Sequence, residues 1–341
     1  MHNAVLSKNI DHKLVQCLAC DWKCKIAPGQ LGLCGVRKNI NGQLKLLVWN
    51  RAAGIAIDPV EKKPLYHFLP ASPILSVGTY GCNLGCHFCQ NYFESQKSKE
   101  AGVKIEKMGE KITPRELVDY CLKNQIPAIA FTYNEPTIFT EWTVAIMKIA
   151  KKYGIKGVFV SNGFMSSETL DYLGDYIDAF NIDLKSFSDD FYHRLCHARL
   201  APVLQNIAKI YRQKKWLEIT TLIIPQENDS PKEITQIAKF IYQLSPEIPW
   251  HLSAFYPAYK MLDHPPTPSA TMEMAYKIGQ KVGLKYLYLY QASPDKKEIG
   301  DTFCPHCGAL LIRRHLFSVL ENNLIEGHCP QCAEAIKGIW E

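Results

Sequence analysis

Between residues 74 and 292 the chain alternates short β-branched and aromatic runs with longer helical stretches, and this alternation constrains the fold more than any other feature. Successive βα units force the strands to run parallel, because each helix carries the chain back across the sheet. Strands are predicted at 74–79, 128–132, 157–161, 179–184, 217–224, 250–255 and 286–290. Two helix starts are marked by a hydroxyl N-cap, a proline and a glutamate: Thr113-Pro114-Arg115-Glu116 and Ser230-Pro231-Lys232-Glu233. Each predicts a capping box. Six or seven such units predict an α/β fold with a partial (β/α)6-type barrel, whose functional side chains gather at the C-terminal ends of the strands.

The loop after the first strand carries the chemistry. Cys82, Cys86 and Cys89 are spaced C-x3-C-x2-C in it, where Gly81 and Gly85 permit tight wrapping. Three thiolates can converge on three irons of a [4Fe-4S] cube and leave the fourth iron open, whereas most clusters take four cysteines. The alternatives are a structural zinc site, which wants four closed ligands, or three reduced core thiols. Polar residues also close the next strands: Tyr133-Asn134-Glu135-Pro136, then Ser161-Asn162-Gly163, then Asp183-Leu184-Lys185. In register with the cysteine loop, they mark a ligand site.

The chain has 13 cysteines in 341 residues, eleven of them in three tight clusters. With no run of about 18 apolar residues and a polar start through His12, it reads as a cytoplasmic protein without a membrane partner, and its thiols as metal ligands rather than disulfides. The formal charge of +6 counts cysteines as neutral. Zinc on the two outer clusters and a cube on the middle one bring the holo-protein close to neutrality, which argues against a nucleic-acid partner.

Cys17-x2-Cys20-x3-Cys24-x9-Cys34 leaves three readings open: zinc, an auxiliary iron–sulfur cluster, or unligated thiols. Residues 36–49 read as a hairpin turning at Asn41-Gly42, the favoured type I′ pair. The segment 58–70 reads as a solvated charge run followed by a loop, or as the lead-in to the cysteine strand. Near the end, Cys304-x2-Cys307 and Cys329-x2-Cys332 match a zinc ribbon, with a rubredoxin iron site as the alternative. Arg313-Arg314-His315 between these knuckles reads as a solvated hairpin tip. Cys121 and Cys196 read as packed thiols. The expected division is a cysteine-rich N-terminal segment at 1–73, the barrel at 74–295, and a zinc-ribbon-like module at 296–341.

Glu61-Lys62-Lys63-Pro64-Leu65-Tyr66-His67-Phe68 and, after it, Gly81-Cys82-Asn83-Leu84-Gly85-Cys86-His87-Phe88-Cys89-Gln90-Asn91 resemble the AmmeMemoRadiSam-system radical S-adenosylmethionine (radical SAM) enzymes, relatives of pyruvate formate-lyase activating enzymes. The segments Phe131-Thr132-Tyr133-Asn134-Glu135-Pro136 and Pro249-Trp250-His251-Leu252-Ser253 belong to the same pattern. The resemblance implies that Cys82, Cys86 and Cys89 ligate a [4Fe-4S] cluster whose open iron takes SAM, with Phe88 shielding the cluster beside adenine. It places Tyr133, Asn134 and Glu135 where activating enzymes carry a Gly-Gly-Glu run against the SAM amino group. Ser161 and Asn162 then line the SAM site, Asp183 and Lys185 match an Asp-x-Lys pair with Lys185 on the SAM carboxylate, and His251 joins the cofactor-binding set.

The implied activity is that of an oxidoreductase-type enzyme. It cleaves SAM reductively to a 5′-deoxyadenosyl radical, which abstracts hydrogen from a substrate that the sequence does not identify. Flavodoxin or ferredoxin is the implied electron donor, and Memo-like and AMMECR-type proteins are implied partners. Two other readings stand beside this one: a glycyl-radical enzyme activase, and a non-catalytic zinc-ribbon scaffold or RNA-binding module. Tyr256 stands where activases have a histidine.

Overall fold

The computed structural model describes residues 1–290 and 300–341. At its centre lies an eight-stranded sheet made of β1 (Gly54–Pro59), β2 (Pro73–Gly78), β3 (Ala128–Phe131), β4 (Lys156–Ser161), β5 (Ala179–Asp183), β6 (Trp216–Ile223), β7 (Trp250–Ala254) and β8 (Leu287–Tyr290). The strands lie side by side in chain order. From β2 to β8 they run parallel. Six helices make the crossovers: α1 (Pro114–Lys123), α2 (Thr140–Ala150), α3 (Ser167–Leu173), α4 (Leu200–Arg212), α5 (Pro231–Leu244) and α6 (Ser269–Val282). The sheet is therefore six βα units closed by a seventh parallel strand.

β1 departs from the expected division at residue 73. It pairs antiparallel with β2 from Gly54↔Gly78 to Pro59↔Pro73, so residues 54–59, placed before the expected boundary, belong to the central sheet. The expected boundary at 295 and 296 lies outside the described residues.

Alternation along the strands separates two apolar layers. Leu75, Val77, Ile129, Phe131, Phe159 and Ile182 join the larger core with the helices. Ile74, Ala128, Ala130, Val158 and Ala179 face the other way and pack on Val60, Leu65 and Phe68. The alanines leave room there for a strap, residues 60–70, to fill one end of the sheet's inner face.

Helix starts match the sequence signals with one difference. At α1 the capping box is complete, with Glu116 N donating to Thr113 Oγ1 and Thr113 N donating to Glu116 Oε2. At α5 Ser230 caps Glu233 N, but the Glu233 carboxylate turns away to accept from Ser186 Oγ and Phe187 N. A loop after β5 outcompetes the helix's own N-terminus for that carboxylate.

The strap joins the two edges of the sheet. Tyr66 N and His67 N both donate to Glu218 of β6. The His67 ring lies between Lys337 O at 2.8 Å and Tyr288 Oη at 2.6 Å. A carbonyl can only accept, so Nδ1 carries the proton and Nε2 accepts from the tyrosine.

Residues 302–322 form a three-stranded antiparallel sheet that docks on this strap. Arg314 does not sit at a solvated tip. It is buried, stacks 4.4 Å from the Tyr66 ring and donates to Tyr66 O and Thr302 Oγ1. Strand alternation explains it: 313 and 315 point outward and 314 inward.

At the N-terminus the hairpin pairs Arg37–Ile40 with Gln43–Leu46, and Asn41 and Gly42 both take positive φ, as a type I′ turn requires. Arg37 fixes this segment to α2 through a buried bidentate pair with Glu141 and a bond to Ile138 O. Among the described residues no helix is long and apolar enough to cross a membrane.

Burial holds His67 mainly neutral, pushing its pKa down to about 4 despite the nearby Glu218. A histidine whose folded pKa lies below its unfolded value of about 6.5 contributes stability that is complete above that value. It is lost as pH falls toward 4, by up to about 3 kcal/mol. Urea denaturation from pH 7 to 4 is expected to show a steeper loss in wild type than in His67→Gln. Parallel curves would assign the acid sensitivity to other groups.

Candidate active site

The C-terminal ends of the parallel strands open on a cavity of about 520 Å³. Cys82, Cys86, Phe88, Cys89, Tyr133, Asn134, Glu135, Ser161, Asn162, Asp183, Lys185 and His251 all line it. β2 delivers the cysteine loop, β3 the 133–135 run, β4 Ser161 and Asn162, and β5 Asp183 and Lys185.

Three anchors hold the cysteine loop. Asn134 spends its side-chain amide on it, accepting from Thr79 N at 3.2 Å and donating to Thr79 Oγ1 at 3.0 Å and Gly81 O at 2.7 Å. Residues 192–196 form a π-helical turn whose last carbonyls take the loop's amides, Leu195 O from His87 N and Cys196 O from Gly85 N. At Gly81, with φ +101°, an added Cβ would lie 2.7 Å from Val36 Cγ1 and 2.8 Å from Cys34 O, so only glycine fits.

The thiols sit among donors. Leu84 N donates to Cys82 Sγ, and Cys89 Sγ is 3.3 Å from Ser95 Oγ. The Cys86 thiol contacts Cys196, and that contact together with burial raises its pKa well above the ordinary value. Among the described residues the triad is not a set of sulfurs within 4.8 Å of one another, whereas the C-terminal quartet is. A zinc ion with Zn–S near 2.3 Å would hold its sulfurs about 3.8 Å apart. The triad's wider spread suits a polynuclear cluster better than a single ion.

Opposite charges line the rest of the cavity. Burial raises the pKa of Glu135, whose carboxylate accepts from Thr137 N, Ser161 Oγ and Asn162 N. Asn162 also donates to Asn83 Oδ1 beside Cys82. Lys185 Nζ lies 2.9 Å from Asp183 and 5.8 Å from the Phe88 ring centroid. Burial opposes its charge, but the paired Asp183 carboxylate outweighs burial and holds its pKa well above the usual range. His251 is buried at the cavity wall, with Nε2 donating to Glu218 at 2.6 Å.

Tyr133 takes φ +72°, the left-handed conformation that costs a non-glycine residue about 1 kcal/mol. Its hydroxyl donates to Asp58 at 2.9 Å, and Lys63 lies 5.1 Å from its ring centroid. Asp58 also pairs with Lys62 and Lys63 and accepts from Ser76. Lys62 and Lys63 reach the cavity. This network is absent from the site expected on sequence, because a charge run reads as solvated until its partners are known. Cys196 likewise reads as packing alone, and no local signal places it on Cys86. Tyr256 is half exposed, at 48%.

In the C-terminal module, Cys304 Sγ lies 3.6 Å from Cys332 Sγ, and Cys307 Sγ 3.6 Å from Cys329 Sγ. All four fall within 4.8 Å of one another, the spacing of a tetrahedral metal site.

Residues 76–241 match the Radical SAM superfamily. The chain is 37% identical to the uncharacterized protein MJ0808 of Methanocaldococcus jannaschii, over 98% of this chain and 99% of that one. MJ1632 of the same organism, whose name places it among glycyl-radical enzyme activating enzymes, is 25% identical over 56% of this chain and 71% of its own. A solved radical SAM methyltransferase from Sphaerobacter thermophilus shares the fold with a TM-score of 0.50 at 15% identity, over 71% of each chain. The chain belongs to the radical SAM superfamily and is similar to activating enzymes. Membership implies an enzyme of oxidoreductase type that uses SAM and an iron–sulfur cluster.

Asn134→Ala is expected to speed the reaction of Cys82 with a thiol reagent in metal-free protein by about tenfold, as roughly 1.4 kcal/mol of loop anchoring is lost. An unchanged rate would show that the loop is held without this amide.

Proposed function

We propose that this protein is a radical SAM enzyme of the AmmeMemoRadiSam type, with a [4Fe-4S] cluster on Cys82, Cys86 and Cys89. The observation that carries the reading is the convergence of the three thiols with the Asp183–Lys185 pair and Glu135 on one cavity. When bound and reduced, the cluster and SAM supply a 5′-deoxyadenosyl radical that abstracts hydrogen from substrate.

The chain's own residues bind and orient. Lys185, buried and kept cationic, would pair with the SAM carboxylate. Glu135 keeps lone-pair capacity on Oε2, which takes Asn162 N, and would accept from the SAM amino group. Phe88, 4% exposed, would cover the cluster beside adenine and keep water from it. Ser161 and Asn162 fix Glu135 and the loop around Cys82, and Asn134 acts as a positioning residue. Tyr133 and His251 shape the wall through Asp58 and Glu218.

Zinc is the occupant proposed for Cys304, Cys307, Cys329 and Cys332. A cytoplasmic setting, reduction by flavodoxin or ferredoxin, and association with Memo-like and AMMECR-type proteins complete the proposal. A glycyl-radical activase is the second reading, and similarity to MJ1632 favours it. The exposed Tyr256 in place of the activase histidine weighs against it.

Anaerobic protein reconstituted with iron and sulfide, then given SAM and dithionite, is expected to form 5′-deoxyadenosine in wild type and none in Cys86→Ala. Lys185→Met is expected to weaken SAM binding by about 10- to 100-fold, as loss of a charge-assisted bond worth roughly 1.5–3 kcal/mol requires. Wild-type protein with a reducible cluster that binds no SAM would overturn the assignment.

A further inference from the structure

The N-terminal cysteines take no part in the cavity, yet they are arranged with as much order as the triad. Cys17, Cys20 and Cys34 are buried and Cys24 is half-buried. Backbone amides face each sulfur and favour its thiolate form, that of Ala19 at Cys17, Trp22 at Cys20, Val36 at Cys34 and Leu33 at Cys24. Three of these donors lie two residues beyond the cysteine, as does Leu84 N on Cys82 in the triad loop. A neutral thiol is a weak acceptor, and such donors suit metal-bound thiolate.

The four sulfurs face one another. Each lies near enough to the other three that ionising one disfavours ionising another. Their spacing is nevertheless wide. Among the described residues no three of them fall within 4.8 Å of one another, and none makes the 3.6 Å sulfur–sulfur contact found twice in the C-terminal quartet. One zinc ion needs all its sulfurs about 3.8 Å apart. A two-iron cluster holds its sulfurs in close pairs, two on each iron. A cube puts one cysteine on each of four separate irons, and so spreads them.

We propose that Cys17, Cys20, Cys24 and Cys34 hold a second, four-cysteine iron–sulfur cube whose corners are all closed by protein. Arg37, paired with Glu141, stands beside Cys17 and Cys34. The site also touches the triad loop on both sides of Cys82. Trp22 Nε1 donates to Asn83 O at 2.8 Å, and Cys34 O meets Gly81 and accepts from Ser98 Oγ at 2.8 Å. That position suits a redox occupant next to the first cluster.

The test separates the two sites. Protein reconstituted anaerobically with iron and sulfide is assayed for iron, acid-labile sulfide and zinc, and its reduced form is examined by electron paramagnetic resonance with and without SAM. The triad variant C82A/C86A/C89A is expected to keep half of the wild-type iron and sulfide, with a signal that SAM leaves unchanged because no corner is open. The variant C20S/C24S is expected to keep the other half, with the SAM-sensitive signal. A triad variant that folds, as judged by circular dichroism, and holds zinc but no iron would overturn the proposal. If neither variant folds, the wild type decides. About eight irons per chain, two cubes' worth, support the second cluster. About four irons with more than one zinc contradict it.

Discussion

The Glu218 carboxylate is the point on which the open sheet depends. Buried in β6, it accepts from Tyr66 N, His67 N, Trp216 Nε1 and His251 Nε2 at 2.6–2.9 Å. Burial would raise its pKa, but the hydrogen bonds from His251 Nε2 and Tyr66 N help to outweigh burial and lower it. Removing one such acceptor leaves several buried donors unsatisfied at once, which is worse than losing any single bond. Through these bonds the strap after β1 reaches β6 and β7, and the His67 ring carries it on to Tyr288 of β8. The C-terminal tail then pairs with the strap, with Ile339 N donating to His67 O and Leu69 N to Ile339 O.

The cavity is a consequence of this closure. Its lower end is filled by Val60, Leu65 and Phe68 over small alanines. Its upper end carries paired charges, Asp183 with Lys185 and Asp58 with Lys62 and Lys63. Buried charges persist only when paired and hydrogen-bonded. Each pair here leaves a charged group at the wall that a zwitterionic ligand can engage with little rearrangement. Tyr133, held in a glycine-like conformation by its contacts with Asp58 and Lys63, shows the site tolerating local strain where the surroundings fix it.

The parallel core is legible in the sequence because hydrophobic period and capping chemistry are local properties. All seven predicted strands are present, β2 and β6 each lying one residue earlier than the expected span. The rule that function gathers at strand ends draws residues from four strands, from Cys82 to Lys185, to one cavity, where His251, implied by the resemblance, joins them from the first half of β7. The features that escape it depend on partners distant in the chain. Asp58 and Lys63 read as solvated because their pairing is met by Ser76 and Tyr133, which lie farther along the chain. Arg314 reads as a hairpin tip because its aromatic partner, Tyr66, is far away in sequence. Asn134, expected to serve a ligand, lines the cavity but also clamps the loop, and Glu233 abandons its capping box for Ser186. In each case tertiary contact overrides a correct local preference.

The central claim is that the triad leaves one iron open for SAM, and electron–nuclear double resonance tests it most directly. The reduced, reconstituted protein would be given SAM isotopically labelled at its carboxylate oxygen. The account predicts a hyperfine coupling between the cluster spin and the labelled oxygen, which marks direct ligation of the open iron. A reduced cluster showing no coupling to the label at saturating SAM would contradict it.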